Sequence, residues 1–158
     1  MSLVVEYQQA LHQEDLARLR RALALRALVA TGSSQRDIAD ALGVTQPAVS
    51  QQLKASRAVT AAVHPETLLA AAAPILVDVA RSKRFDRLAV FGSVARREAR
   101  ADSDIDLLVE APEGAGIKEL VELQAIFEEI LGRPVDLVTY GGLKPMIDAD
   151  IRAEAVLL

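Results

Sequence analysis

Two short apolar runs, Leu88-Ala-Val-Phe91 and Ile105-Asp-Leu-Leu-Val109, flank a segment that opens on Gly92-Ser93 and closes on Asp104. The first run reads as a strand that stops at Gly92, and Ser93 then opens a short Ala/Arg/Glu-rich helix. A glycine-serine turn feeding a helix offers backbone N–H groups and a hydroxyl to a phosphate. The second run reads as the neighbouring strand. Side chains alternate along a strand, so Asp104 and Asp106 share one face. Two carboxylates beside a phosphate cradle suit divalent metals that carry a nucleoside triphosphate. Either half alone reads as an ordinary turn or a solvated strand edge; the pairing at this spacing points to a site.

The spacing Gly-Ser-x10-Asp-x-Asp resembles the signature of the DNA polymerase beta-like nucleotidyltransferase superfamily. Phe91-Gly-Ser-Val-Ala-Arg-Arg-Glu98 and Ser103-Asp-Ile-Asp-Leu-Leu-Val109 are similar to the minimal nucleotidyltransferases within it. One departure is Arg97, where many members carry glycine.

The net charge of −4 hides an asymmetry. Residues 1–84 carry ten Lys/Arg against seven Asp/Glu, and residues 85–158 carry eight against fifteen. A mildly basic first half and an acidic second half suggest two units with different partners. Cysteine is absent, which excludes a disulfide framework, a thiolate zinc site and a thiol nucleophile. No apolar run has transmembrane length and no signal peptide is evident, so a cytoplasmic protein without a membrane partner is expected.

In the first half, Leu11–Ala30 reads as a helix with Leu16, Leu19, Leu23 and Ala27 on one face. Gly32 is a plausible C-cap, and Ser34 an N-cap for a short helix carrying Ile38, Ala39 and Leu42 on one side. Gly43 permits a sharp turn, Thr45 caps a second helix, and Pro47 fits its first turn. Val49 and Leu53 would anchor that helix to the first. The pattern resembles a helix-turn-helix motif for double-stranded DNA, an operator, with Thr45 near phosphates and Gln46, Ser50, Gln51 and Lys54 facing outward. A plain helical hairpin is the alternative. Arg18, Arg20, Arg21 and Arg26 read mainly as a solvated face. A homodimer would suit symmetric half-sites, although the sequence shows no heptad run or exposed stripe that marks an interface.

Residues 58–63 read as a connector ending at His64-Pro65, with His64 and His12 structural or solvated. Thr67–Lys83 reads as an apolar helix that Pro74 should kink or divide. Ile117–Leu131 reads as an amphipathic helix with Leu120, Leu123, Phe127 and Ile130 inward, and Val135–Thr139 as a third strand bearing Asp136. Gly141-Gly142 and then Leu143–Leu158 read as a turn and a final helix. The expected fold class is α+β: an all-α helix-turn-helix domain over residues 1–60, then a small nucleotidyltransferase-fold domain over 64–158 with a mixed sheet and flanking helices.

The resemblance implies the chemistry. Gly92 and Ser93 would hold the β/γ-phosphates of ATP, while Arg96 would either neutralise the triphosphate or form a surface salt bridge. Asp104, Asp106 and Asp136 would bind two Mg²⁺ ions, with Asp136 helping to deprotonate an acceptor hydroxyl that attacks the α-phosphorus. The chain has little length left for a small-molecule acceptor domain. Members of the group act as antitoxins beside a HEPN-type ribonuclease toxin and transfer AMP to it, and a DNA-binding head would add operon autoregulation. The other reading is a transcriptional regulator whose transferase-like domain senses nucleotide or binds a partner without turnover.

Overall fold

The computed structural model describes residues 2–143 and 148–158. Helix α1 (Leu3–Ala30) is followed by α2 (Gln35–Leu42), α3 (Gln46–Ala61) and α4 (Pro65–Ser82). Then come β1 (Asp86–Phe91), α5 (Gly92–Ala95), β2 (Ile105–Glu110), α6 (Ile117–Leu131) and β3 (Val135–Thr139). A 3-10 turn at Tyr140–Gly142, α7 (Ala149–Glu154) and β4 (Val156–Leu157) complete the order. The sheet runs β3-β2-β1-β4, with β2 and β3 parallel and both neighbours of β1 antiparallel to it. It is a mixed sheet with flanking helices, preceded by a helical region, as the sequence implies.

Alternation along the strands sorts the sheet into two faces. Leu88, Val90, Ile105, Leu107, Val109, Val135 and Leu137 enter the main core with residues of α4 and α6. Ala89, Phe91 and Leu108 take the opposite face, where among the described residues Leu143 and partly buried groups such as Tyr140 and Ile151 pack against them. Asp106 falls on this face, in step with Leu108, and Asp104 lies two residues ahead of it, just before β2.

Local chemistry explains most boundaries. The Ser34 hydroxyl accepts a hydrogen bond from the Asp37 N–H at 3.1 Å, and Thr45 Oγ1 accepts from the Ala48 N–H at 3.3 Å. Gly43 closes α2 at φ +68°, a left-handed conformation that favours glycine. Leu25, Ile38, Ala39 and Val49 form a small second core that fixes α2 against α3 and α1.

Several expectations are corrected. Helix α1 starts eight residues earlier than Leu11. Leu42 is 55% exposed rather than packed with Ile38, because the α2–α3 core closes on Ile38, Ala39 and Val49 without it. Residues 58–61 belong to α3, since nothing between Lys54 and Ala61 breaks a helix. Pro74 does not divide α4: it lies exposed, and the Ala70 carbonyl that it leaves without a donor is on the exposed side as well. The short helix after Ser93 is a single turn, ended by Arg97 at φ +58°. The final helix shrinks to α7, and the chain then pairs with β1 through β4, a strand that the apolar Ala155–Leu158 tail supplies. The part of that predicted helix at 144–147 lies outside the described residues. Arg26 is no solvated side chain. It donates to the carbonyls of Glu129 and Ile130 at the end of α6, where a cation meets the negative end of a helix.

Helix α1 serves both cores. Leu19, Leu23 and Ala27 lie in the main cluster with α4 and α6, while Leu25 lies in the small one with α2 and α3.

Candidate active site

The site grows from three strand ends. Asp106 and Asp136 are direct neighbours in the parallel β2–β3 register, so both carboxylates start from one line across the sheet. On the other side Asp106 pairs with Phe91, the residue before Gly92. Gly92 adopts φ +71°, and a Cβ there would collide with the Asp106 carboxylate. Glycine is thus required twice over, by the backbone turn and by the approach of the acid. Ser93 follows, half-buried at the start of α5.

Electrostatics mark the same place. Burial pushes the Asp106 carboxyl above the ordinary carboxylate range, and the charges of Asp136 and Asp104 push it the same way. Arg96 opposes that shift. Asp136, Asp104 and Glu154 all act on Asp106 against the Arg96 cation, and a divalent ion would relieve that repulsion. Among the described residues no three acidic or imidazole side chains form a ready-made metal cage. The donor set is nonetheless all oxygen, which suits Mg²⁺, an ion that keeps water and substrate oxygens beside one or two carboxylates.

Glu154 is the residue that sequence reasoning missed. Its Oε1 accepts from the Gly92 N–H at 2.9 Å, and its Oε2 accepts from Arg96 Nη1 at 3.0 Å. The Gly92 N–H, helped by Arg96, holds this carboxyl below its usual range. Arg96 Nε also donates to Glu98 at 3.2 Å, and the guanidinium pKa is raised, by Glu154 first and Glu98 second. Among the described residues the two ion pairs use Arg96 Nε and Nη1 and leave other N–H groups of its fork without a partner. The sequence signal is faint: one acid before the apolar tail Ala155–Leu158, which is too short to show a strand period.

Arg133 braces the approach to β2, donating to the carbonyls of Ser103 at 3.1 Å and Ala101 at 3.2 Å. His64 is structural, as expected: its Nδ1 accepts from the Glu66 N–H at 3.3 Å and its Nε2 lies 3.0 Å from the Ala99 carbonyl. His12 is exposed on α1.

In the helical region Thr45, Gln46, Gln51 and Lys54 are exposed and Ser50 is half-buried. Gln46 donates to Gln35 Oε1 at 2.6 Å, bridging α3 to the start of α2. No helix among the described residues is long and apolar enough to cross a membrane.

Comparison with known proteins gives one pattern. The profile of the family described as nucleotidyltransferase domain matches residues 76–158, just over half of the chain. A Methanocaldococcus jannaschii protein named as a protein adenylyltransferase is 46% identical over 70 residues, covering 44% of this chain and 75% of that protein. The protein adenylyltransferase MntA of Thermococcus cleftensis is 41% identical over 69 residues, covering 44% of this chain and 70% of its own. A solved structure described as a minimal nucleotidyltransferase superposes with a TM-score of 0.56 at 36% identity, covering 61% of this chain and 98% of that one.

Proposed function

The chain belongs to the nucleotidyltransferase domain family and carries a minimal nucleotidyltransferase domain, and from that premise we propose that it transfers AMP from ATP to a hydroxyl of a partner protein. One observation carries the reading: the β1–β2–β3 register gathers Gly92, Asp106 and Asp136 at one end of the sheet, with Asp104 on the same face of β2. The names of the relatives point to a protein as acceptor.

In this mechanism the Ser93 hydroxyl and N–H hold the β/γ-phosphates, the Gly92 N–H joins them once Glu154 releases it, and Arg96 offers its remaining N–H groups. Asp104, Asp106 and Asp136 would hold two Mg²⁺ ions, which supply charge neutralisation to the triphosphate and to departing pyrophosphate. Asp136 accepts the acceptor's hydroxyl proton, directly or through water, as its oxygen attacks the α-phosphorus. The bond from that phosphorus to the β-phosphate bridging oxygen breaks in line.

The partner is proposed to be a HEPN-type ribonuclease toxin that the chain restrains as its antitoxin. The helix-turn-helix over residues 1–60 would bind the operator through Thr45, Gln46, Ser50, Gln51 and Lys54, and the transferase domain would span 64–158 with the inward face of α1 completing its core. A second reading, a DNA-binding regulator that senses nucleotide without turnover, is favoured by Glu154, which ties up Arg96 and the Gly92 N–H. Incubation with labelled ATP, Mg²⁺ and the product of the adjacent gene separates the two. Transfer of label by wild type and not by Asp104→Ala/Asp106→Ala supports the enzyme. Promoter binding retained without any transfer by wild type would replace it with the regulator.

A further inference from the structure

Every residue of α1 from Leu3 to Asp15 is exposed, including Val4 at 65%, Tyr7 at 71% and Leu11 at 46%. These three do not scatter around the helix. Val4, Tyr7, Leu11, Glu14, Arg18 and Arg21 recur at alternating three- and four-residue steps, the spacing of a coiled-coil seam. Reading the helix from Leu11 hides this seam, because it discards the two apolar positions that begin it.

The seam runs straight into a groove. Between α1 and α3 lies an open depression of about 390 Å³, floored by Ala22, Leu25, Ala55 and Val59 and rimmed by Arg18 and Arg21. Among the described residues, an exposed stripe of Val4, Tyr7 and Leu11 and an open groove with apolar and polar lining therefore share one face of one molecule. They cannot meet within it, because they lie at different heights on the same rigid helix.

We propose that a second copy of this chain supplies the missing partner, with two α1 helices running antiparallel about a two-fold axis near Leu16. In that register Glu14 faces Arg18 of the partner subunit, and the symmetry repeats the pair. Leu11 lies on the stem of Arg21 of the partner subunit, and Tyr7 reaches the groove beside Leu25 of the partner subunit. Three things favour a like copy over an unrelated protein. The seam is self-complementary at its centre, where Glu14 meets Arg18, and its apolar N-terminal part meets the Arg21 stem and the groove. Glu14 and Arg18 take part in none of the ion pairs or side-chain hydrogen bonds found among the described residues, so both charges are available. The overlap from Tyr7 to Leu25 spans about 28 Å at 1.5 Å per residue, nearly three heptads of seam. This inference stands on α1 and α3 alone and is independent of the transferase reading.

The test is sedimentation equilibrium on the full chain between about 1 and 100 µM. Wild type is expected to be a dimer. Tyr7→Glu/Leu11→Glu should be monomeric with an unchanged thermal midpoint for the monomer fold, because both side chains are exposed. Glu14→Arg sets like charges opposite one another and should weaken the dimer by on the order of tenfold or more. The exchange Glu14→Arg/Arg18→Glu restores opposite charges only in the antiparallel register and should restore the dimer. A monomeric wild type at 100 µM, or a dimer indifferent to Tyr7→Glu/Leu11→Glu, would overturn the proposal. A dimer lost in those variants but not rescued by the exchange would overturn the register.

Discussion

Substituting Gly92 by alanine isolates how closely the turn meets the acid. Two effects add. A left-handed backbone costs a residue with a Cβ about 1 kcal/mol relative to glycine. The added methyl also occupies space that the Asp106 carboxylate holds, so that side chain must swing away or the turn must open, for roughly another 1 kcal/mol or more. A total near 2 kcal/mol lowers the thermal midpoint of a chain of this size by about 4–8 °C. The functional effect is larger, since displacing a reacting group by about 1 Å costs on the order of a hundredfold in rate. Gly43→Ala provides the control. Gly43 has nearly the same torsion, φ +68°, with nothing within 4 Å of a new Cβ. It should lose only the backbone share of stability and none of the transfer rate. The assays are thermal unfolding and single-turnover transfer of label from ATP. Equal activity losses in the two variants, or a Gly92→Ala enzyme within a few-fold of wild type, would show that contact with Asp106 does not govern the chemistry.

Other perturbations follow from the same geometry. Arg97 sits at φ +58°, so Arg97→Gly should raise stability by about 0.5–1 kcal/mol, read as a higher midpoint in urea unfolding; a loss of stability would mean the side chain makes contacts that outweigh the strain. Asp106 has its folded pKa raised, so the unfolded chain ionises more readily, and the fold loses stability as pH rises from the unfolded value through the folded one. Asp106→Asn should therefore stabilise the metal-free protein at neutral pH, with the gain fading towards pH 4 in calorimetric scans; a pH-independent difference would sink that account. Glu154→Gln retains an acceptor for the Gly92 N–H and drops the charge that holds Arg96. The KM for ATP should fall about twofold to fivefold, the scale of an exposed ion pair, and an unchanged KM would mean that Arg96 never meets the nucleotide.

Most of the candidate site was readable because its parts are local. Gly92, Ser93, Asp104 and Asp106 lie on one strand–turn–strand unit, so spacing and alternation fix their relation. Asp136 could be placed only through resemblance, because nothing in the sequence dictates that β3 lies parallel to β2 in a register opposing the two acids. Glu154 was out of reach for a stronger reason. Its role depends on β4 folding back antiparallel to β1, a pairing encoded by a few apolar residues without periodicity. The helical half shows the same divide. Ser34, Gly43 and Thr45 announce their caps, whereas the start of α1 at Leu3 has no strong N-cap, since Ser2 makes no side-chain capping bond. The depth of Arg26 follows from α6 ending beside it, a fact of packing with no local signature.

Helix α1 is a single rod with a core on each side, and this sets what can be taken apart. Cutting the chain near residue 60 would not release a finished transferase. It would strip Leu19, Leu23 and Ala27 from the interior against α4 and α6, together with the guanidinium that closes the end of α6. The two halves should therefore unfold together, since one rod fills both cores. A recombination event that exchanged this head for another would have to preserve the inward face of α1, whatever it changed on the outward one.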